Sequence, residues 1–200
     1  MTFLQKHHGQ MSDSMLTAFF IILSGGLQDA YTYCCRGKVF ANAQTGNIVL
    51  LSTHLFEGDW GQALRYLVPV LAFLLGIYIA ECVHRHFKRM EKVHWRQLII
   101  LAEIVLLAAV GFLPETLNVV VALYPIFFAM SIQWSSFGGA RGFYSSTIFS
   151  TNNTKQTSLA LANYLCDHDR AHLRKLKVFA LTLLCFHIGA AAAYFAVTWW

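Results

Sequence analysis

The chain has 200 residues, of which 56% are hydrophobic and only 12% are charged. Soluble domains carry about 25% charged residues, so this composition excludes an ordinary water-soluble domain, and the apolar content also excludes disorder. The net charge of +5 does not indicate nucleic-acid binding, because the basic residues gather beside apolar runs, in 85–96 and 170–177. We therefore expect an all-α integral membrane protein that forms one domain over residues 1–200.

Seven segments are candidates for membrane-spanning helices, since a span needs about 20 mainly apolar residues. Two of them, 43–57 and 147–166, have short apolar stretches, and each is predicted to be a short span, a broken helix or a re-entrant element. The sequence therefore predicts six or seven transmembrane helices. In a seven-span arrangement with 85–96 in the cytoplasm, 170–177 falls on the opposite side. The five stronger segments are Met15–Cys34, Tyr66–His84, Gln97–Leu113, Leu117–Phe137 and Val178–Trp200.

Three sequence landmarks recur in order, which indicates an internal duplication. Their offsets of 105, 109 and 113 residues increase regularly, and this favours a duplication over chance matches in a leucine-rich chain. We predict two related three-helix units, repeat A at about 15–84 and repeat B at about 117–200, with a connecting helix at about 97–113. Because four spans would separate their starts, the repeats are expected to be parallel. The matching pairs are 27–30 with 132–135, 39–45 with 148–154, and 73–76 with 186–189.

Two polar clusters interrupt the apolar pattern, one over residues 42–47 and the other over residues 151–157. Unsatisfied polar groups are costly in hydrocarbon, so these side chains must face protein, water or a ligand. They either bind a small polar solute or ion, or only hydrogen-bond helices to one another. The candidate binding residues are Gln28, Asp29, Asn42, Gln44, Thr45, Gly46, Asn47, Gln133, Asn152, Thr154, Lys155 and Gln156.

Three charged residues lie where a bilayer would make them costly. Asp29 is near the end of the first segment, and Lys155 is the only cation inside a candidate span. We hypothesise that these two residues pair, because intramembrane charges usually do, although Lys155 would also reach the headgroups along its own stem. Glu103, which lies between apolar neighbours, is a candidate for proton coupling, and its alternative is a headgroup contact.

The sequence contains no pattern typical of an enzyme. It has no nucleophile–base pair, HExxH motif or pair of carboxylates at catalytic spacing. His84, His86 and His94 lack the cysteine or carboxylate spacing of a zinc site, and the five cysteines form no CxxC pair. We therefore expect neither catalytic residues nor a metal or cofactor.

Several of these motifs resemble those of the YoaK family, bacterial multi-pass membrane proteins of unknown function. The resemblance covers most of the chain and implies a location in the bacterial cytoplasmic membrane. The second cluster departs from the family pattern, since Lys155 follows Thr154 where a glycine is usual, so a helix break there would be altered. The matching motifs are Gly26-Leu27-Gln28-Asp29-Ala30, Phe40-Ala41-Asn42-Ala43-Gln44-Thr45-Gly46-Asn47, Pro69, Phe73-x-x-Gly76 and Met130-x-x-Gln133.

These features together predict a small-solute or ion transporter with a polar site between the two repeats. The alternative is a membrane scaffold or sensor whose polar clusters only pack helices. The expected partners are the lipid bilayer, a small polar solute or ion, and a second copy of the chain in a homodimer.

Overall fold

The computed structural model describes residues 14–87, 95–113, 119–137 and 150–199, and every regular element within them is an α-helix. All seven predicted segments contain a helix, which confirms the all-helical class. Residues 88–94 of the basic segment, 117–118, 148–149 of one repeat landmark, and Trp200 lie outside the described residues. The helices are α1 (Met15–Cys35), α2 (Gln44–Phe56), α3 (Trp60–Phe87), α4 (Trp95–Gly111), α5 (Val119–Ser136), α6 (Ser150–Asp167) and α7 (Arg170–Trp199).

The same kind of turn joins α2 to α3 and α6 to α7. A residue with positive φ follows the first helix of each pair, Gly58 at 77° and His168 at 53°. The next residue then caps the second helix: Asp59 Oδ1 accepts a backbone N–H of α3 at 3.1 Å, and Asp169 Oδ1 accepts one of α7 at 2.8 Å. Each short helix therefore forms a hairpin with the long helix after it, and it packs along that helix.

Two helix pairs, α1 with α7 and α3 with α5, form the most extensive interfaces of the described residues. The helices of each pair run in the same direction. Met15 packs with Val178 near the starts of α1 and α7, and Gly26 meets Phe186 further along both. The order is the same in α3 and α5, where Phe73 lies in one cluster with Phe127 and Ala80 in another with Ile132.

Helix α1 runs opposite to α3 and α5. Ile21 packs against the cluster that contains Ala80, whereas Tyr31 packs against the cluster that contains Tyr66. The same clusters place Ile21 by the end of α5 and Tyr31 by its start. A helix α2 that led the chain to the opposite end of the bundle would make α1 and α3 parallel. Helix α2 therefore returns the chain to the end at which α1 finishes. The predicted parallel relation of the two units required α2 to cross the bundle, and it stays a prediction that these helix directions do not support.

Glycines allow the paired helices to approach closely. In each case a Cβ atom would overlap an atom of the partner helix, so a larger residue would force the backbones apart. The overlapping atoms are the Phe186 carbonyl oxygen for Gly26, the Leu23 carbonyl oxygen for Gly189, and Ser131 Oγ for Gly76.

The outer surface of the bundle is apolar, although polar side chains lie inside it. Phe20, Tyr78 and Ile104 are each more than half exposed, at 65%, 67% and 58%, while Gln133 and Glu103 are buried. By length and composition, α3 and α7 of the described residues qualify as membrane spans. Helix α2 has 13 residues and is shorter than a full span, whereas α4, with 17 residues, is at the lower limit of span length. Water would be a poor solvent for such a surface.

Candidate functional site

Polar side chains from three helices meet around the middle of α1. The Gln28 amide nitrogen donates to Ser24 Oγ at 2.9 Å, and the Gln28 side chain also hydrogen-bonds to the carboxyl group of Glu103 on α4. From α5, Gln133 Nε2 donates to the Ile21 carbonyl oxygen at 3.1 Å. Glu103 is buried and is the central residue of the 17-residue helix α4. The structure therefore joins Gln28 to Glu103 and binds Gln133 to the same helix α1, although the sequence had singled out the three residues separately.

The loop between α1 and α2 folds back onto the same part of α1. Asn42 Nδ2 donates to the Gly25 carbonyl oxygen at 2.8 Å, and the Asn42 backbone N–H donates to Asp29 Oδ1 at 2.9 Å. The Asp29 carboxylate also accepts the backbone N–H of Ala41. The loop is thus fixed at Gly25, ten residues or about 15 Å along the helix axis from the end of α1.

Three buried amide oxygens in this region have no hydrogen-bond partner. They are Gln28 Oε1, Asn42 Oδ1 and Gln133 Oε1, and their residues are at most 4% exposed. The nitrogen of each amide binds α1 between residues 21 and 25, so the three amide groups lie within about one turn of that helix. We call these three amides and the Glu103 carboxyl group the α1 polar site. An unsatisfied buried acceptor costs about 1–3 kcal/mol, so the site is suited to a ligand that supplies positive charge or donors.

Most of the first polar cluster serves to hold the loop. Asn47 accepts the Phe40 N–H at 3.2 Å and donates to the Phe40 carbonyl oxygen at 2.8 Å and to Gln44 Oε1 at 3.2 Å. Gln44 Nε2 binds a loop carbonyl oxygen at 3.2 Å. Thr45 is exposed, and a Cβ atom on Gly46 would lie 3.3 Å from the Phe40 ring. The amides of Asn47 and Gln44 are therefore used within the loop and the start of α2, as the packing alternative requires, whereas Thr45 is exposed.

The second polar cluster lies on α6, which packs against α7. Asn152 and Gln156 are half-buried, while Thr154 and Lys155 are exposed. In the described parts of the chain, α2 and α6 share no extensive interface, so the structure does not pack the two clusters together.

Asn153 is a buried residue of α6 that was not among the predicted site residues. Its counterpart by burial is Asn47, and each asparagine follows a threonine by two residues, Thr151 and Thr45. This shared Thr-x-Asn pattern is the sequence signal for Asn153, although the landmark pairing of 39–45 with 148–154 aligns Asn153 with Gln44.

Asp29 and Lys155 do not form an ion pair in the part of the chain that the structure describes. The Asp29 carboxylate is bound by backbone N–H groups of the loop, and Lys155 is exposed on α6. For Glu103, burial against α1 disagrees with a headgroup contact.

Within the described ranges, no group of three or more His, Cys, Asp or Glu side chains is placed to hold a metal ion. The oxygens of the α1 polar site are mostly amides, which suit hard cations or hydrogen-bond donors rather than transition metals.

Comparison with known proteins identifies the family. Residues 17–199 match the family described as "Protein of unknown function (DUF1275)". The chain therefore belongs to the DUF1275 family, and this is consistent with its resemblance to the YoaK proteins. No curated protein and no solved structure matches the chain.

Proposed function

We propose that this member of the DUF1275 family is a multi-pass membrane protein that carries a small polar solute or ion through the α1 polar site. The observation behind the proposal is the group of three unpartnered amide oxygens beside Glu103, buried in a bundle with an apolar exterior. Glu103 is midway along α4, and ionisable residues at such a depth are usually functional. The proposal assigns no reaction, cofactor or nucleic acid to the protein.

The apolar exterior supports a bilayer as the solvent. Bulky side chains such as Leu74, Ile104 and Phe195 are each more than half exposed, and lipid would cover them at no cost. The buried polar groups are satisfied largely by helix backbones, as hydrocarbon requires. We propose the bacterial cytoplasmic membrane as the location, as the family resemblance implies.

We propose that α2 is a re-entrant half-helix and not a span. With 13 residues it is about 20 Å long, short of the about 30 Å of a hydrocarbon core. The loop before it descends along α1 to Gly25, and the turn at Gly58 then leads into α3 on the side that α1 had reached. Broken helices of this kind form the binding sites of many transporters.

The proposed repeats are inverted, with α1–α3 and α5–α7 as the two units. The capping aspartates Asp59 and Asp169, 110 residues apart, occupy equivalent turns. Each third helix packs closely against the first helix of the other unit, and α1 runs opposite to its counterpart α5. The equivalent contacts are Gly76 with Phe128 and Gly189 with Leu23, at offsets of 113 and 105 residues.

Inversion also explains the distribution of basic residues. With α1, α3, α4, α5 and α7 as spans and with α2 and α6 as re-entrant helices, the end of α3 and the starts of α4 and α7 would face the same side. The described residues there carry six Lys and Arg residues, and those on the opposite side carry three. This bias favours the first side as cytoplasmic. The disagreement of 170–177 with 85–96, which a seven-span arrangement creates, disappears.

The α1 polar site would then lie where the two repeats meet. Gln28 and Gln133 are 105 residues apart, the same offset as the landmarks around them. Gln133 donates to α1, and Gln28 bonds to the connecting helix α4. The site keeps the predicted position between the repeats, but it is built from α1, α4, α5 and the loop residue Asn42.

Flux measurements test the transport proposal. The full chain is reconstituted into liposomes, and urea, glycine and alkali chlorides serve as probes in light-scattering uptake assays. We expect at least one probe to enter faster than into protein-free liposomes, and Gln133→Leu to slow it. Gln97→Leu, which changes an exposed glutamine of α4, is the matched control and should leave the rate unchanged.

A membrane scaffold is the second candidate, and the use of Asn47 and Gln44 in loop packing favours it. This candidate is preferred if no probe moves faster than in empty liposomes, or if Gln133→Leu lowers only the melting temperature. A homodimer remains a prediction from the sequence.

A further inference from the structure

We infer that the α1 polar site binds one monovalent cation, coordinated by the oxygens of Gln28, Asn42, Gln133 and Glu103. The inference deepens the proposed function, since it names the ligand class of the same site, and it rests on that proposal for the membrane setting. It is carried by the geometry of three amides that are each at most 4% exposed and lack a partner at the oxygen.

The side-chain atoms of the site that lack a partner are acceptors. Each amide nitrogen is already engaged, by Ser24 Oγ, by the Gly25 carbonyl oxygen and by the Ile21 carbonyl oxygen. The three atoms left without a partner are therefore all oxygens, which carry partial negative charge. Amide oxygens and a carboxylate are the ligands that hard cations prefer, and membrane proteins coordinate alkali cations with such oxygens.

Glu103 supplies the single carboxyl ligand of the site. The Asp29 carboxylate lies nearby, but it already accepts the N–H groups of Ala41 and Asn42 just before α2. Glu103 is then the carboxyl group that bonds to one of the three amides. Calcium sites gather several carboxylates, whereas one carboxylate with neutral amides balances a monovalent ion in a medium of low dielectric constant.

An anion would find no basic partner at this position among the described residues of α1. The basic residue at the C-terminal end of α1 is Arg36. It lies eight residues beyond Gln28, which is about 12 Å along the axis, and its Nε donates to Tyr31 Oη at 3.0 Å. Lys155 is exposed on α6. An anion would also meet the Glu103 carboxyl group, so the electrostatics select a cation.

Thermal unfolding of the purified full chain in detergent tests the inference. The chlorides of sodium, potassium and ammonium are compared with N-methylglucamine chloride and with magnesium chloride at constant ionic strength. We expect at least one of the three small monovalent cations to raise the melting temperature saturably, because a ligand of the native state stabilises it. Gln133→Leu and Glu103→Gln should each raise the half-saturating concentration by about tenfold or more. Gln97→Leu should leave it unchanged.

Equal melting temperatures in all the monovalent chlorides would overturn the inference and leave water as the occupant of the site. A shift by magnesium alone would overturn it as well, as would a sodium, potassium or ammonium effect that survives both site substitutions. If Gln133→Leu does not fold, Glu103→Gln decides, since it keeps the shape of the side chain and removes its charge. Cation binding without flux in liposomes would reject transport and keep this inference. Flux of urea or glycine without any cation-dependent stability would reject cation binding and keep the transport proposal.

Discussion

Asn42 and Asn47 are five residues apart, yet their amide groups have different partners. Both ends of the Asn47 amide are bound within its own loop, by Phe40 and Gln44. Asn42 binds only through nitrogen, and its oxygen is buried without a donor. A residue of one type therefore packs the loop in one position and faces the candidate ligand in the other. Local sequence could not separate the two roles, because both asparagines stand in the same polar cluster.

We expect Asn47→Ala to destabilise the fold, although Asn47 does not belong to the α1 polar site. The substitution leaves the N–H and carbonyl groups of Phe40 without their partner, and the free energy of unfolding should fall by about 2 kcal/mol or more. Thermal melting in detergent measures this loss. Thr45→Ala is the control, because Thr45 is exposed and should change stability by less than about 0.5 kcal/mol. A wild-type melting curve for Asn47→Ala would show that Asn47 does not fix the loop.

At the scale of helices, glycine positions decide which elements can pair. Gly26 and Gly189 let the backbones of α1 and α7 meet, and Gly76 lets α3 meet Ser131 of α5. In the proposed bilayer, close van der Waals contact along parallel helices would stabilise these interfaces, since lipid gives helices no hydrophobic reason to associate. The two interfaces differ in the limiting atom, by which we mean the partner atom that a Cβ added to the glycine would overlap. It is a backbone oxygen in the α1–α7 pair and a side-chain oxygen in the α3–α5 pair.

That difference predicts which substitutions can be rescued. Gly76→Ala should lower the melting temperature, and Ser131→Gly in the same chain should restore much of it, because the limiting atom Ser131 Oγ is removed. Gly26→Ala should cost about 1–3 kcal/mol or more, and no side-chain change at Phe186 should rescue it, because the limiting atom is a carbonyl oxygen. Gly111→Ala is the control, since nothing lies within 4 Å of its added Cβ. Failure of Ser131→Gly to rescue Gly76→Ala would contradict the assigned contact.

Helix positions could be predicted from the sequence, but helix partners could not. Apolar runs located all seven helices, including the polar α6, because periodicity and length are local properties. The bond between Gln28 and Glu103 joins residues 75 positions apart, and no local pattern encodes it. The hypothesis of an Asp29–Lys155 pair did not agree with the structure because it considered only side-chain charges. Backbone N–H groups of the loop satisfy Asp29 instead.

At the scale of the whole molecule, the helix directions determine which topology fits the proposed bilayer setting. Because α1 and α3 are antiparallel, α2 would return to the side from which it entered. The parallel directions of α1 and α7, and of α3 and α5, fit if α6 returns in the same way. Under this proposal the chain crosses the bilayer five times, and the two hairpins enter from opposite sides, each with its polar cluster at the inner end of the short helix.

Three cysteines report this topology, because Cys34, Cys82 and Cys166 are exposed near the ends of α1, α3 and α6. With five crossings, Cys34 faces the outside, and Cys82 and Cys166 face the cytoplasm. With seven crossings, Cys34 and Cys82 would share a side, and Cys166 would face the other. Single-cysteine variants treated with a membrane-impermeant maleimide, in spheroplasts and in inverted vesicles, separate the two arrangements.

Cys185, half-buried within α7, is the control and should react fully only after denaturation. Labelling of Cys34 and Cys82 from the same side would reject the re-entrant α2, and with it the inverted relation of the two repeats.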